Sequence, residues 1–448
     1  MITGFMGFII CEPKVVSGYT PHTPVYINGN GDFTAPNGVT GGSGTQMDPF
    51  IIENWDISAS TSTGIEIRHT TAYFVIQNCW IHDGRNPDPD PKYNGISLFN
   101  VTNGTIQQSE ILNNQIPIRL ESSTGNIILI NNISYNAWGM YLLNSQDNII
   151  SNNNISSNEE PGIYFKSSST NNITFNDISD NDDGIELESS LNNVISGNNI
   201  TLNREIGIYL KIASDGATIS NNTIFSNAWE GILVSESSNN LIKNNRIFSH
   251  SGDSGLWFSS SSNNVIFNNS LYDNYDGIRL HSSERNIIIN NSASNNDFGI
   301  VVLWSKSKYN TISNNTIFSN WDGISIGFCS DNNITCNDIS GNHRGIEIVD
   351  SIGNEIVNNT IYSNSIDGIK LDSEADANTI SHNNIYNNYN GTHICDSSNN
   401  NIIGNIISSN NHYGIYIDLF SSSNNYIYHN DIIYNVNQAF DDIILPIM

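Results

Sequence analysis

Apolar positions in this chain come in short clusters that recur at a nearly fixed interval. A Gly, almost always followed by an apolar residue, appears at Gly139, Gly162, Gly184, Gly207, Gly231, Gly255, Gly277, Gly299, Gly323, Gly345, Gly368, Gly391 and Gly414, in steps of 22 to 24 residues. Gly95 and Pro117 extend the series upstream, and Gly64 precedes Gly95 by 31 residues, so that unit carries an insertion. Self-similarity at such a period is the mark of a solenoid. Within a unit the grammar repeats too: Gly184-Ile-Glu-Leu187, Asn193-Val-Ile195, Asn198-Asn-Ile200, then Asn203 before the next Gly207. These are three short apolar segments, each bounded by Asn, Gly or Ser, and they read as three strands joined by turns.

The unit is too short for helical repeats of the armadillo or tetratricopeptide kind. β-branched Ile mixed with Asn, Ser and Gly is also poor helix material. Leucine-rich repeats share the length but need Leu where Ile stands here. The expectation is an all-β fold, a single-stranded right-handed parallel β-helix with 22–24 residues and three short strands per coil. Roughly 16 coils, stacked ~4.8 Å apart, would make a rod of about 75 Å. Stacked Ile fills a core that no single coil could bury alone. Recurrent Asn is assigned to the corners, where it tolerates left-handed backbone and its amide can bond a stacked Asn. Gly is assigned to tight backbone approach or positive φ.

This frame divides the chain into residues 1–24, a signal-peptide remnant or N-terminal cap; 25–63, the first coils and cap; 64–425, the repeats, with an insertion at 82–92; and 426–448, a C-terminal cap. The apolar run from Met1 to Cys11 resembles a signal-peptide core, though without a basic flank or a small-residue cleavage site. An imperfect C-terminal cap would leave an open sheet edge, which invites end-to-end self-association.

Composition narrows the function classes. The 16 Lys and Arg face 44 Asp and Glu, a formal net charge of −28, so a nucleic-acid partner is not expected. No internal apolar run reaches 18 residues, so no membrane span is expected in the body. Five cysteines without a CxxC pair make no disulfide scaffold.

The Asn-x-Ile-x-x-Asn-x-Ile-x-x-Asn-x-x-Gly-Ile grammar resembles the parallel β-helix proteins of the pectin-lyase-like superfamily, and within it the NosD-like group, also described as the carbohydrate-binding and sugar-hydrolysis β-helix module. Ile27-Asn-Gly-Asn-Gly-Asp-Phe33 and Gly42-Ser-Gly-Thr-Gln-Met-Asp-Pro-Phe-Ile-Ile-Glu-Asn54 look like the opening coil of such proteins. The resemblance covers residues 25 to 440. It implies an extracellular, cell-surface or periplasmic protein with a polysaccharide or glycan partner on the strand face after each Gly. The motifs that carry chemistry in this superfamily are mostly missing. The Tyr-Gly-x-Asp-Pro-His-Asp signature of mannuronan epimerases is absent. Asp182-Asp183-Gly184 resembles the paired aspartates of polygalacturonases, but Gly-His-Gly and Arg-Ile-Lys are not found. No Met/His cluster supports the copper role of the name-giving proteins.

Candidate chemistry lies at the second and fourth positions after each Gly and on the rim before it, where aromatics and most of the scarce cations concentrate. Flat rings and carboxylates suit sugars, whose C–H faces pack on aromatics while hydroxyls need polar partners. Expected substrate-binding residues are Trp138, Tyr141, Tyr164, Tyr209, Trp229 and Trp257. The densest patch adds Asp183, Glu186, Glu188, Lys166 and Lys211 as candidates for acid–base work; solvated cross-coil ion pairs are the plain alternative. A second patch comprises Asp276, Arg279, His281 and Asp322. In the insertion, His82, Asp83, Asp88 and Asp90 are candidate ligands for Ca²⁺. Three functions remain open: an exported carbohydrate-binding β-helix; a polysaccharide lyase, epimerase or hydrolase on the same face; and a structural or adhesive envelope rod.

Overall fold

The structure, a computed structural model, describes residues 18–85, 92–250, 252–418 and 422–441. Each coil contributes three short strands, as in Ile163–Lys166, Asn172–Thr174 and Asp177–Ser179. Like strands of successive coils pair in parallel and build three sheets through about 17 turns. We call these the first, second and third sheet in that order along the coil. The fold is the solenoid that the spacing predicts, and no α-helix occurs among the described residues. The apolar run Met1–Cys11, with the rest of residues 1–17, and residues 442–448 lie outside the described residues. Tyr426–Tyr428, Asp431–Ile433 and Asn437–Asp441 pair onto the three sheets as the last coil described.

Register explains the core. Pairs such as Ile150↔Ile173↔Ile195 in the second sheet and Ile155↔Ile178↔Ile200 in the third place identical side chains above one another, and all are fully buried. In the first sheet the first and third residues after Gly point inward, as Ile185 and Leu187 do, while Glu186 and Glu188 face the other way. At the N-terminal end Phe33 covers the core, stacked 4.6 Å from the Phe50 ring and 5.5 Å from Phe74.

The corner assignments hold in part. The repeat glycines are not at positive φ. They are required by close approach: a Cβ on Gly299 would meet the Gly323 carbonyl oxygen at 2.5 Å and Ile317 Cγ2 at 2.7 Å. The recurrent Asn residues do not take the left-handed conformation either. The residue just before each does, as at Asn152, Phe175, Asn221 and Asn244. Asn153, Asn176, Asn222 and Asn245 instead point inward and are buried.

There they form a hydrogen-bonded ladder. Asn222 donates from its backbone N–H and from Nδ2 to Asn245 Oδ1, both at 3.0 Å, and Asn245 Nδ2 donates to the Ile219 carbonyl and to Asn269 Oδ1. Two further Asn ladders run through Asn148–Asn171–Asn193 and through Asn136–Asn158–Asn181. A Ser ladder runs through Ser145–Ser168–Ser190. Turn backbone that would otherwise be buried and unpaired is satisfied in this way.

One ladder is broken naturally: Ala217 stands where Asn is expected between Asn193 and Asn240, so Asn193 meets no Asn oxygen on the next coil and only the Ala217 backbone N–H donates to Asn240 Oδ1. Ala217→Asn is expected to stabilise the protein by about 1 kcal/mol, the net contribution of an added hydrogen bond. Asn245→Ala, which orphans two donors on Asn222, is expected to cost about 2–4 kcal/mol. Denaturant unfolding of both variants checks the opposite signs.

Candidate functional site

Sequence register brings the expected patch together on adjacent coils of the first sheet. Tyr164 pairs with Glu186 and Lys166 with Glu188; on the next coil Glu186 pairs with Tyr209 and Glu188 with Lys211. The groups satisfy one another. Tyr164 donates to Glu188 Oε2 at 2.6 Å, Lys166 Nζ lies 2.9 Å from Glu188 Oε1, and Lys211 pairs with Glu186 and sits 3.7 Å from Glu188 Oε2. Burial and the bond to Glu188 push the Tyr164 phenol far up, while hydrogen bonds from Tyr164 and Lys166 hold Glu188 below its ordinary range. Tyr164 is only 7% exposed, wedged 5.7 Å from Trp138 and 5.1 Å from Tyr141. Trp138 also edges a shallow depression shared with Arg85, Lys92, Glu159 and Glu160. Tyr209 carries Lys211 against its ring at 5.5 Å. Such a network is internally compensated and offers few free polar atoms.

The insertion places His82 between two carboxylates, with Nε2 2.8 Å from Asp56 and Nδ1 2.8 Å from Asp83. Both ring nitrogens are thus engaged within the protein. Asp88 and Asp90 lie outside the described residues.

The second patch is different in kind. Immediately before the Gly, every second coil carries a buried acid: Asp183, Glu230, Asp276, Asp322 and Asp367. Asp183 accepts the Ile206 N–H at 2.8 Å, Asp276 accepts Ser254 Oγ at 3.1 Å and Arg279 Nη1 at 2.9 Å, and Asp367 accepts Asn390 Nδ2 at 2.9 Å. One residue further from the Gly, on the coils of Glu230, Asp276 and Asp322, stand the exposed rings of Trp229, Tyr275 and Trp321. Trp321 is braced by His343, stacked at 4.0 Å. The rim therefore repeats an aromatic–acid pair every two coils, about 9.6 Å.

Inside this rim, Trp257 and Arg279 occupy neighbouring coils in register, with the guanidinium 5.6 Å from the indole. Trp257 Nε1, Arg279 Nε and His281 Nδ1 are buried atoms with no hydrogen-bond partner among the described residues. Indole and guanidinium N–H groups can only donate. Buried donors left unpaired in this way cost free energy, and with His281 Nδ1, whose role depends on its tautomer, they leave hydrogen-bonding capacity on two adjacent coils that the described residues do not use. Burial and the adjacent Arg279 lower the His281 pKa, which favours its neutral form.

Burial pushes the carboxyls of Asp183 and Glu230 up to about 7 and that of Asp322 up to about 6. Folded, they hold protons that an unfolded chain, with carboxyls near 4, has already released. Their contribution to stability is present below about pH 4 and is lost as pH rises through about 6 to 7. His250 acts in the opposite sense: buried, it is held down to about 4, so its contribution is lost as pH falls below about 6.5. With three acids against one imidazole, the thermal midpoint is expected to fall between about pH 5.5 and 7.5. The fall should flatten in the Asp183→Asn, Glu230→Gln, Asp322→Asn variant, as scanning calorimetry across that range would show.

Sequence reasoning named Trp229 and Trp257 but did not rank their patch first, because residue density does not reveal which charges are already paired. It missed a stack on the third sheet, Phe225–Phe248–Tyr272, at 5.0 and 4.8 Å with nearly parallel rings and Arg246 over Phe248. The signal was an aromatic directly after the third-strand Ile or Leu on three successive coils.

No curated protein sequence matches the chain. Among solved structures, the periplasmic alginate epimerase AlgG is similar at 14% identity over 86% of this chain and 85% of its own, with a TM-score of 0.32. The A-module of the Azotobacter vinelandii mannuronan C-5 epimerase AlgE4 gives 13%, 84% and 89%, at 0.29. The Dettilon tailspike protein gives 17%, 75% and 59%, at 0.36. Likenesses at this level say nothing of activity. The family described as periplasmic copper-binding protein (NosD) matches residues 271–376 and 306–443. The right-handed beta helix region family matches 63–224, 131–265 and 203–317, together more than half of the chain. With its three stacked parallel sheets, the chain belongs to the right-handed β-helix family.

Proposed function

We propose that the protein binds a linear polysaccharide outside the cytoplasm, along the first sheet and its rim, centred on the coils from Trp229 to Asp322. The observation that carries this reading is the pair of unpartnered donors on Trp257 and Arg279, with the unpartnered His281 Nδ1 beside them, flanked by exposed rings at a two-coil interval. Sugar hydroxyls are acceptors of the right kind for those donors, and the C–H faces of pyranose rings suit the exposed aromatics. Two coils match the span of two sugar rings in an extended chain, so one ring of each disaccharide would meet an aromatic. The NosD family description, a periplasmic protein, supports the location.

A glycan array of uronate and neutral polysaccharides, probed with the purified protein, tests the reading. Binding to at least one linear glycan is expected, and it should weaken when Trp257 or Trp321 is changed. Silence across the array would favour a structural envelope rod instead.

Glu230 favours a second reading, catalysis. A buried carboxyl held near 7 is poised to act as a general acid at neutral pH. Shortened or unsaturated products from a bound glycan, lost in Glu230→Gln while binding persists, would support a hydrolase or lyase. Calcium remains a proposed accessory ion, tested by repeating the array with a chelator.

A further inference from the structure

Away from the proposed glycan site, near the C-terminal end of the first sheet, three side chains of different chemistry converge. His393 and Cys395 lie on one strand, Asn390–Cys395, and the two-residue period sends both to the outer side. The next coil is in register, so Asp418 lies beside Cys395 and Tyr416 beside His393. A nitrogen of His393, the sulfur of Cys395 and a carboxylate oxygen of Asp418 all lie within 4.8 Å of one another. Among the described residues no other trio of His, Cys, Asp or Glu comes this close.

The imidazole is oriented for a ligand. Its Nδ1 lies 3.2 Å from Asp367 Oδ2, and Asp367 is itself buried and fixed by Asn390. With Nδ1–H donated to that carboxylate, Nε2 presents its lone pair. Nε2 is buried, has no hydrogen-bond partner among the described residues, and lies 3.9 Å from Asp418 Oδ2. The Tyr416 ring, 4.8 Å from the imidazole, holds it in place. A carboxylate behind a histidine, with the other nitrogen free, is how proteins prepare a metal-binding imidazole. Lys370, 2.6 Å from Asp372 on the neighbouring coil, offsets one of the surrounding negative charges.

We infer that His393, Cys395 and Asp418 form a binding site for a divalent transition-metal ion of the zinc class, with Asp367 positioning the histidine. The donor set is one nitrogen, one sulfur and one oxygen. Zinc takes such mixed ligands tetrahedrally, with water in the fourth position. Calcium and magnesium prefer oxygen alone, so this donor set selects against them. Binding forms a metal–sulfur bond as the thiol proton leaves to the buffer, and modest contraction of the three side chains closes the shell.

The test uses the full chain, reduced and stripped with a chelator, titrated with Co²⁺ and then with Zn²⁺. One equivalent of Co²⁺ should produce a thiolate-to-cobalt charge-transfer absorption that Zn²⁺ abolishes by displacement. Cys395→Ser should remove the absorption, His393→Gln and Asp418→Asn should weaken binding, and Asp367→Asn should lower affinity by about 10- to 100-fold. Cys336→Ser, which removes an exposed thiol elsewhere, should change nothing. Absence of the absorption in the unaltered protein would overturn the site. So would an absorption that survives in Cys395→Ser and disappears in Cys336→Ser. Should Cys395→Ser fail to fold, the Asp418→Asn titration decides the matter, because that side chain is partly exposed.

Discussion

Gly299→Ala is expected to destabilise the protein by about 3 kcal/mol, the upper part of the range for forcing extra atoms into a packed interior. The added methyl would meet the Gly323 carbonyl oxygen at 2.5 Å, Ile317 Cγ2 at 2.7 Å and Asn320 Nδ2 at 3.1 Å. Two of these neighbours are ladder or core elements, and the first is backbone of the next coil. Relief therefore requires parting two coils, which breaks the parallel pairing of Phe298–Leu303 with Asp322–Gly327. Because each coil contacts only its neighbours, the loss should appear as local opening around coils 299 and 323 before global unfolding. Hydrogen exchange would localise it and denaturant unfolding would give its size. Gly125 is the control. It sits at φ +65° with open space around its Cα, and the equivalent corner of the next coil carries Asp147 at φ 54°. Gly125→Asn should therefore change stability by no more than about 0.5 kcal/mol.

The largest functional effect is expected from removing the rim rings. Trp229 and Trp321 are 47% and 57% exposed. Replacing either by alanine should leave stability within about 0.5 kcal/mol. Each replacement should cost about 1–1.5 kcal/mol of glycan binding, the scale of a well-placed aromatic contact, so the double variant should bind about 100-fold more weakly. Trp257→Phe separates the two kinds of contact. It keeps an aromatic ring but deletes the indole N–H, which has no partner among the described residues, together with part of the ring's bulk. Its stability should change little, because loss of an unpaired donor offsets lost packing, while affinity should fall by at least roughly fivefold, the net contribution of one hydrogen bond. Calorimetric titration with a glycan that the array identifies checks both values.

The fold was legible because stacking in register turns a physical requirement into a sequence period. Every coil must supply Ile at the same depth and Gly at the same point of contact, so the Gly-to-Gly step alone reports the architecture. The corners were less legible. Asn is frequent both inside the ladders and before them, as at Asn152 and Asn153, and sequence does not tell which of the pair turns inward. Of the first sheet's outer face, membership could be read by counting from each Gly. What could not be read was compensation. Lys166 and Lys211 bond Glu188 and Glu186, whereas Trp257 and Arg279 leave donors unpaired, and only side-chain placement distinguishes the two. The trio His393, Cys395 and Asp418 escaped notice for a related reason. Its members sit in both outer columns and on two coils, and they become one group only when Asp367 turns the imidazole toward the others.

A glycan bound as proposed lies along the solenoid axis with every second coil in aromatic contact. Affinity measured against chain length, for an oligosaccharide series of the glycan that binds best, tests this most directly. Affinity should rise in steps of two sugars until the three rings at Trp229, Tyr275 and Trp321 are filled, and then level off. Affinity independent of length from a single sugar onward, or a rise that persists unchanged in the Trp229→Ala, Trp321→Ala variant, would contradict it.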